Sequence, residues 1–242
     1  MIGHRGAAKV APENSLEGLE AAVAAGADLV EFDVERSTAG SALAIGHPGV
    51  SRVGPAPTLE EALAYLAGQE IGIHVDLKLA GAEDEIAAAL RRHGVEHRTV
   101  VSTPDARSLR SLGELAPELG RAISYPEDRL GAASIPWPRT VVRTSAAGLR
   151  FAMRARVPLL LAASGGNALS LHHAIVSAAV VRTAHSRGAG VIAWTVNDPV
   201  RVRVLALMGV DAIVSDDPQM IASVLATLNT RKPDTQNPGQ TT

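Results

Sequence analysis

The stretches LVEFDVE at residues 29–35 and IHVDLK at residues 73–78 decide the fold, because each alternates apolar with ionisable side chains. Successive side chains of a β-strand point to opposite faces of the sheet, so each stretch predicts a strand with one apolar face. The opposite faces carry the ionisable side chains, which are Glu31, Asp33, His74, Asp76 and Lys78. Burial of so many ionisable groups is costly unless they pair with one another or bind a cation.

Similar strand patterns recur along most of the 242 residues and alternate with Ala- and Leu-rich helical stretches. This alternation is typical of parallel strands joined by crossover helices. Strands are predicted near residues 2–4, 29–35, 72–78, 99–102, 122–124, 168–172, 191–196 and 212–215. Helices are predicted at residues 15–25, 58–66, 84–93, 105–116, 147–161, 176–186, 199–208 and 218–228. Eight such units predict an α/β fold, the (β/α)8 TIM barrel, whose usual length is roughly 250 residues.

We expect one domain over residues 1–228, because no break in composition interrupts the strand and helix units. Residues 229–242 are almost devoid of apolar side chains and predict a disordered C-terminal tail. The stretch 126–156 is the hardest to assign, because Pro136 and Pro138 interrupt any helical period.

The composition narrows the function. The 23 Lys and Arg residues nearly balance 25 Asp and Glu residues, a net charge of -2 that gives no basic surface for nucleic acid. The absence of Cys excludes disulfides, thiolate catalysis and Cys-ligated metal centres. No run approaches the ~18 apolar residues of a membrane span, and the N-terminus has no apolar signal region. We therefore expect a cytoplasmic protein without nucleic-acid partners or a transmembrane segment, and the composition leaves its oligomeric state open.

Strand parity alone leaves two interpretations of the ionisable faces equally open. In the first, Lys78 and Arg5 neutralise the acids of a polar barrel mouth. In the second, the carboxylates of Glu31, Asp33 and Asp76 bind a metal ion. Such hard oxygen ligands suit Mg²⁺ or Ca²⁺, whereas zinc prefers more nitrogen or sulfur.

A series of motifs in fixed order resembles the glycerophosphodiester phosphodiesterases. The motifs are HRG at 4–6, PENS at 12–15, GADLVEFDV at 26–34, His47 after a short strand, PTLEE at 57–61, DLK at 76–78, WTVN at 194–197 and GVDAIVSD at 209–216. The resemblance extends from about residue 2 to residue 218. HRG alone is a weak signal, whereas the ordered set is specific.

The resemblance implies a TIM barrel enzyme that hydrolyses a small-molecule glycerophosphodiester to sn-glycerol 3-phosphate and an alcohol. It also implies one divalent cation, Mg²⁺ or Ca²⁺. Carried over by position, the implied metal ligands are Glu31, Asp33 and Asp76. The implied general acid/base pair is His4 and His47. The implied substrate contacts are Arg5, Lys78, Glu13, Asn14 and Trp194.

The sequence departs from the family pattern at three places. Asp76 stands where the family usually has Glu, so Asp76 either binds on a shifted strand or reaches the cation through water. We expect the water-mediated contact, because hydrogen bonds on both sides resist displacement of a barrel strand. Pro48 follows His47 where the family has Asp, and only residues 48–56 remain of the family's insertion lobe, which is largely missing. Two alternatives therefore stay open: a lysophospholipase D-type phosphodiesterase, and a catalytically impaired member that binds a phosphorylated ligand.

Overall fold

The computed structural model of the chain describes residues 1–37, 40, 42–47, 56–126 and 139–229. Its strands are β1 (Ile2–Gly3), β2 (Leu29–Arg36), β3 (Leu43–Ile45), β4 (Gly72–Leu77), β5 (Thr99–Thr103), β6 (Gly120–Tyr125), β7 (Ala168–His172), β8 (Gly190–Trp194) and β9 (Ala212–Ser215). Its helices are α1 (Leu16–Ala24), α2 (Leu59–Ala67), α3 (Glu83–His93), α4 (Ala106–Leu115), α5 (Arg139–Ser164), α6 (Ala178–His185), α7 (Pro199–Met208) and α8 (Pro218–Asn229).

Eight parallel strands close into a barrel in the order β1-β9-β8-β7-β6-β5-β4-β2, and β2 pairs back with β1. This closed sheet with its surrounding helices confirms the predicted TIM barrel. The short strand β3 adds an antiparallel partner to the end of β2, where Val34 pairs with Ile45. All eight predicted barrel strands are present, and the sheet positions the ends of β2 and β4 side by side.

The helix starts follow from local chemistry. The Thr58 side chain accepts a hydrogen bond from the Glu61 backbone N at 3.1 Å, and the Glu61 carboxylate accepts one from the Thr58 backbone N at 2.8 Å. This reciprocal capping box satisfies two backbone donors at the start of α2. At α7, Pro199 occupies the first turn, where its missing N–H costs no helical hydrogen bond.

The apolar face of β2 packs outward against the helices. Val30, Phe32 and Val34 are completely buried, in one cluster with Leu19 of α1 and Leu63 of α2. Full burial of each such side chain contributes roughly 1.5–3 kcal/mol to the free energy of unfolding. The opposite face of β2 points into the barrel, as the alternation in residues 29–35 predicts.

Apolar residues also fill much of the barrel interior. Ile2, Ala122, Ile192 and Val214 form a separate buried cluster contributed by four different strands. Inward-facing side chains of a TIM barrel pack in layers and leave no pore. The ionisable groups of β2 and β4 therefore share the barrel interior with a packed apolar cluster.

Helix α5 differs from its prediction. It runs from Arg139 to Ser164, whereas the sequence predicts a helix over 147–161 only. Gly148 and Pro158 both lie inside it, although each disfavours a helix interior. Met153 and Val157 are completely buried, and this packing outweighs the local preference.

Two predicted segments fall largely outside the described residues. The predicted tail begins at residue 229, which the structure places at the end of α8, and residues 230–242 are not described. Residues 48–55, nearly all that remains of the expected lobe, are not described either. Among the described helices, none has the length and apolar character needed to cross a membrane.

Candidate active site

Three carboxylates meet inside the barrel mouth. Glu31 and Asp33 share the inner face of β2, and Asp76 on β4 is the register partner of Asp33. One oxygen from each of the three lies within 4.8 Å of the others. Three carboxylate oxygens this close together form a hard oxygen donor set of the kind that binds Mg²⁺ or Ca²⁺.

Burial and mutual repulsion disfavour the ionised form of the carboxylates in this cluster. Burial, together with the nearby charges of Asp33 and Asp76, raises the pKa of Glu31 to about 7. Burial alone would also raise the pKa of Asp76, but the Lys78 ammonium and a hydrogen bond from Ser102 lower it below its usual value. A bound cation would relieve the repulsion that Glu31 experiences.

Lys78 neutralises part of the cluster from within. Its Nζ lies 2.9 Å from Asp33 Oδ1 and also donates a hydrogen bond to Asp76 Oδ2. Burial disfavours its charge, but the two carboxylates outweigh that effect and raise the pKa of Lys78. The ammonium contacts two of the three acids, while Glu31 is held mainly by a backbone donor. Charge pairing and a hard oxygen donor set therefore coexist at this site, and the donor set fits Mg²⁺ or Ca²⁺.

The loop between β1 and α1 fixes the two acids of β2. The Arg5 backbone N donates to Glu31 Oε2 at 2.7 Å, and Arg5 Nε lies 2.9 Å from Asp33 Oδ2. Asn14 Nδ2 donates to Asp33 Oδ2, and Asn14 Oδ1 accepts from the Asp33 backbone N, both at 3.0 Å. Glu13 pairs with the Arg5 guanidinium. Arg5 and Asn14 have φ of 48° and 51°, a left-handed conformation that costs free energy and is retained by these contacts.

His4 lies beside this cluster and is held by a carboxylate of its own. His4 Nδ1 is 2.6 Å from Asp216 Oδ1, and Asn197 Nδ2 donates to the other oxygen of Asp216. Burial lowers the pKa of His4, but the hydrogen bond to Asp216 and the charge of Glu31 outweigh it, so the pKa is raised. The same hydrogen bond lowers the pKa of Asp216. His4 is therefore held in one orientation and favours its protonated form.

His47 follows β3 at the rim of the barrel. The Gly46 backbone N donates to the Asp33 carbonyl at 3.0 Å, which places residue 47 beside the end of β2. The His47 side chain is half-buried. The antiparallel turn through β3 thus brings this histidine back to the strand that carries Glu31 and Asp33.

A cavity of about 380 Å³ opens next to His4. Its lining residues are His4, Arg5, Ala8, Lys9, Glu13, Asn197, Asp216 and Asp217. Trp194 ends β8 and packs edge-on against His172, with ring centroids 5.2 Å apart. A larger cavity of about 660 Å³ lies away from the carboxylates, where Arg154 and Pro158 of α5 face Thr183 of α6.

Three polar residues at this site have no role in the sequence interpretation. Asp216 and Asn197 orient His4, and Ser102 donates to Asp76 Oδ1 at 2.7 Å. His74 Nε2 lies 2.9 Å from the Ser102 hydroxyl, and burial lowers the pKa of His74 to about 4. Strand parity offers a signal for Ser102, which shares the inner face of β5 with Val100. The pairing of Asp216 with His4, however, joins residues 212 apart in the sequence, which local patterns do not predict.

Comparison with known proteins gives this geometry a family. The model of the glycerophosphoryl diester phosphodiesterase family matches residues 4–53 and 56–220. Members of this family are phosphoric diester hydrolases. The match includes every residue that the sequence assigns to metal binding, substrate contact or proton transfer.

Individual relatives match over nearly their whole length. The protein YhdW of Bacillus subtilis is 26% identical over 255 residues, which cover 91% of this chain and 96% of YhdW. A glycerophosphodiester phosphodiesterase of Caldanaerobacter subterraneus is 22% identical over 262 residues, 93% of this chain and 97% of the relative. An Oleispira antarctica phosphodiesterase, solved with its product sn-glycerol-3-phosphate, is 25% identical with a TM-score of 0.69, over 93% of this chain and 96% of that one.

Proposed function

We propose that this chain, which belongs to the glycerophosphoryl diester phosphodiesterase family, hydrolyses glycerophosphodiesters to sn-glycerol 3-phosphate and an alcohol with one divalent cation, Mg²⁺ or Ca²⁺. The observation that carries this proposal is the meeting of three carboxylate oxygens within 4.8 Å at the barrel mouth. Glu31, Asp33 and Asp76 would hold the cation. When bound, the cation polarises a phosphoryl oxygen and neutralises charge that develops on it.

Arg5 supplies positive charge to the phosphate-binding side of the site. It lines the cavity beside His4, and Glu13 and Asp33 fix its guanidinium. Such preorganised donors stabilise charge on the phosphoryl oxygens without reorganisation during the reaction. Lys78 contacts both Asp33 and Asp76 and offsets the repulsion between their carboxylates. It also adds a second positive charge to the site. Asn14 completes the site by fixing Asp33 from the opposite side.

His4 and His47 divide the proton transfers. Asp216 favours the imidazolium form of His4, so His4 gives its proton to the leaving alkoxide as the phosphorus–oxygen bond breaks. His47 accepts the proton of the attacking hydroxyl as the new phosphorus–oxygen bond forms. Histidine suits both tasks because its pKa lies near neutral pH.

The cavity favours a small polar substrate. Its volume is about 380 Å³, and seven of its eight lining residues are polar or charged. Deacylated phospholipid head groups fit this chemistry better than an acyl chain, which argues against the lysophospholipase D-type alternative. Trp194 would contact the glycerol moiety from the β8 side. The expected cytoplasmic location stays a prediction from the sequence.

The test is release of glycerol 3-phosphate from glycerophosphocholine, measured with Mg²⁺, with Ca²⁺ and with chelator. We expect cation-dependent release that the chelator abolishes. Release of choline from lysophosphatidylcholine in place of glycerophosphocholine would support the lysophospholipase D-type activity. Absence of turnover on both substrates, with retained binding of glycerol 3-phosphate, would identify a catalytically impaired member.

A further inference from the structure

A buried chain of hydrogen bonds links β4 and β5 to one metal-ligand candidate. The Ser102 hydroxyl donates to Asp76 Oδ1 at 2.7 Å, and His74 Nε2 lies 2.9 Å from the same hydroxyl oxygen. Asp76 and Ser102 are register partners on adjacent parallel strands. His74 and Ser102 are 2% and 1% exposed, so water does not compete for these bonds.

The order of donors in this chain is fixed by counting hydrogens. A serine hydroxyl has one hydrogen, and the carboxylate of Asp76 only accepts. Ser102 therefore uses its hydrogen on Asp76, and its oxygen accepts the hydrogen of His74 Nε2. Within the described part of the chain, His74 Nδ1 has no hydrogen-bond partner. A buried imidazolium would need acceptors at both nitrogens, so His74 is the neutral tautomer with its proton on Nε2.

This series of hydrogen bonds holds one oxygen of the Asp76 carboxylate, and Lys78 already holds the other. Asp76 Oδ2 accepts a hydrogen bond from Lys78, and Asp76 Oδ1 accepts one from Ser102. Two donors on opposite oxygens define the plane of the carboxylate. Without the hydroxyl, Lys78 alone would orient the group and leave the Oδ1 side free to rotate. The aspartate side chain is one methylene shorter than glutamate, so its orientation decides which oxygen faces Glu31 and Asp33.

We propose that Ser102 and His74 are positioning residues that orient the Asp76 carboxylate for the divalent cation. Ser102 contacts Asp76 directly, and His74 acts only through the Ser102 hydroxyl. The inference rests on the proposed function, because it takes Asp76 as a ligand. Outer partners of this kind orient metal ligands, and their loss lowers metal affinity by roughly 10- to 100-fold.

The first experiment is calorimetric titration of Mg²⁺ and of Ca²⁺ into the full chain and its Ser102 variants. We expect Ser102→Ala to weaken cation binding by about 10- to 100-fold, whereas Ser102→Thr, which keeps the hydroxyl, stays near wild type. Ser170→Ala is the matched control, since Ser170 is a 3% exposed serine on β7, which two strands separate from β4 in the sheet. Its affinity should equal that of wild type.

A second pair of variants tests His74. Glutamine places an N–H donor near the position of histidine Nε2, so His74→Gln should retain cation affinity. His74→Leu removes the donor and should weaken binding in the same direction as Ser102→Ala. Nitrogen-15 NMR of the metal-free chain should show a neutral His74 protonated at Nε2. Thermal melts in chelator establish that each variant is folded.

Each outcome bears on a separate statement. A cation bound equally by wild type and Ser102→Ala overturns this inference and leaves the proposed function intact. Equal weakening in Ser102→Thr and Ser102→Ala also overturns it, because the hydroxyl would then not be responsible. A wild type that binds no cation refutes the proposed metal site and the inference with it. A His74 protonated at Nδ1 overturns the donor order, even if Ser102→Ala fails to fold.

Discussion

Two sets of inward-facing side chains follow the same strand parity but differ in chemistry. The charged half consists of Glu31, Asp33 and Asp76, and the apolar half of Ile2, Ala122, Ile192 and Val214. On β2 and β4 the inward positions hold Glu31, Asp33 and Asp76, whereas β6 and β8 place Ala122 and Ile192 inward. The apolar half contributes stability through packing, while the charged half has a desolvation cost that its partners must offset. The comparison teaches that parity decides which positions face inward, and side-chain chemistry decides whether they fill the barrel or form a site.

The largest expected effect comes from removing one charge of the charged half. Glu31→Gln keeps the shape of the side chain but removes a ligand charge, so activity should fall below detection. Thermal stabilisation by Mg²⁺ or Ca²⁺ should disappear with it. Assays of kcat/KM and melting curves with and without cation measure both effects. Glu20→Gln is the control, because Glu20 is exposed on α1. Retained activity in Glu31→Gln would exclude Glu31 from the site.

Next in size is loss of either histidine at the rim of the charged half. His4→Ala and His47→Ala should each lower turnover by roughly 10²- to 10⁴-fold, the usual contribution of a positioned proton-transfer group. The double variant should lose little more, because residues that act as a unit are not additive. Steady-state kcat on glycerophosphocholine checks this. Wild-type turnover in His47→Ala would exclude His47 from the pair.

The charged half should also make stability depend on pH in a defined direction. In chelator, the folded pKa of Glu31 is about 7 and its ordinary value is 4.5, so the folded state binds more protons between these values. The contribution of Glu31 to the free energy of unfolding therefore falls as pH rises through this window. The lowered pKa of His74 acts in the opposite direction. The pH dependence of the free energy of unfolding must therefore be compared between wild type and Glu31→Gln, because both proteins contain His74.

Relative to Glu31→Gln, wild type should lose up to about 3 kcal/mol of unfolding free energy between about pH 5 and about pH 8. Urea unfolding of both proteins in chelator measures the difference, and added Mg²⁺ should reduce it by compensating the ionised Glu31. A difference that does not change with pH would show that Glu31 is ionised throughout this range.

A smaller effect is expected from lengthening one side chain within the charged half. Asp76→Glu moves the carboxylate by about 1.5 Å, which breaks its contact with Ser102, and should weaken cation binding about 10-fold. Calorimetric titration of Mg²⁺ checks it, with Asp84→Glu on α3 as the control. Tighter binding would instead favour the water-mediated contact, and unchanged affinity would mean that Asp76 is not a ligand.

The smallest effect belongs to the apolar half. Ile192→Val removes one methylene from the packed interior and should lower the free energy of unfolding by about 0.5–1.5 kcal/mol. Cation affinity and kcat should stay unchanged, because Ile192 contacts the apolar cluster and none of the carboxylates is part of it. Urea unfolding and the activity assay together test this separation. A weakened cation site in this variant would show that the two halves are coupled.

Local patterns predicted most of the fold correctly. The alternation in residues 29–35 was sufficient to orient Glu31 and Asp33, because strand parity is a property of the backbone alone. Helix α5 begins at Arg139, eight residues before its predicted start, because Pro136 and Pro138 interrupt any helical period in the sequence before it. Gly148 and Pro158 lie within the predicted range, and the burial of Met153 and Val157 compensates for their local cost.

The sequence by itself determined the barrel, the inward carboxylates and the family resemblance, since strand period and motif order are written along the chain. Only the tertiary structure decided which groups meet. Asp216 reaches His4 across 212 residues of sequence, because the barrel places the last strand, β9, beside β1. Ser102 reaches Asp76 across 26 residues, because β5 pairs with β4 in a register that makes these two residues partners. Periodicity specifies the direction of a side chain, but its partner and its pKa depend on distances that barrel closure sets.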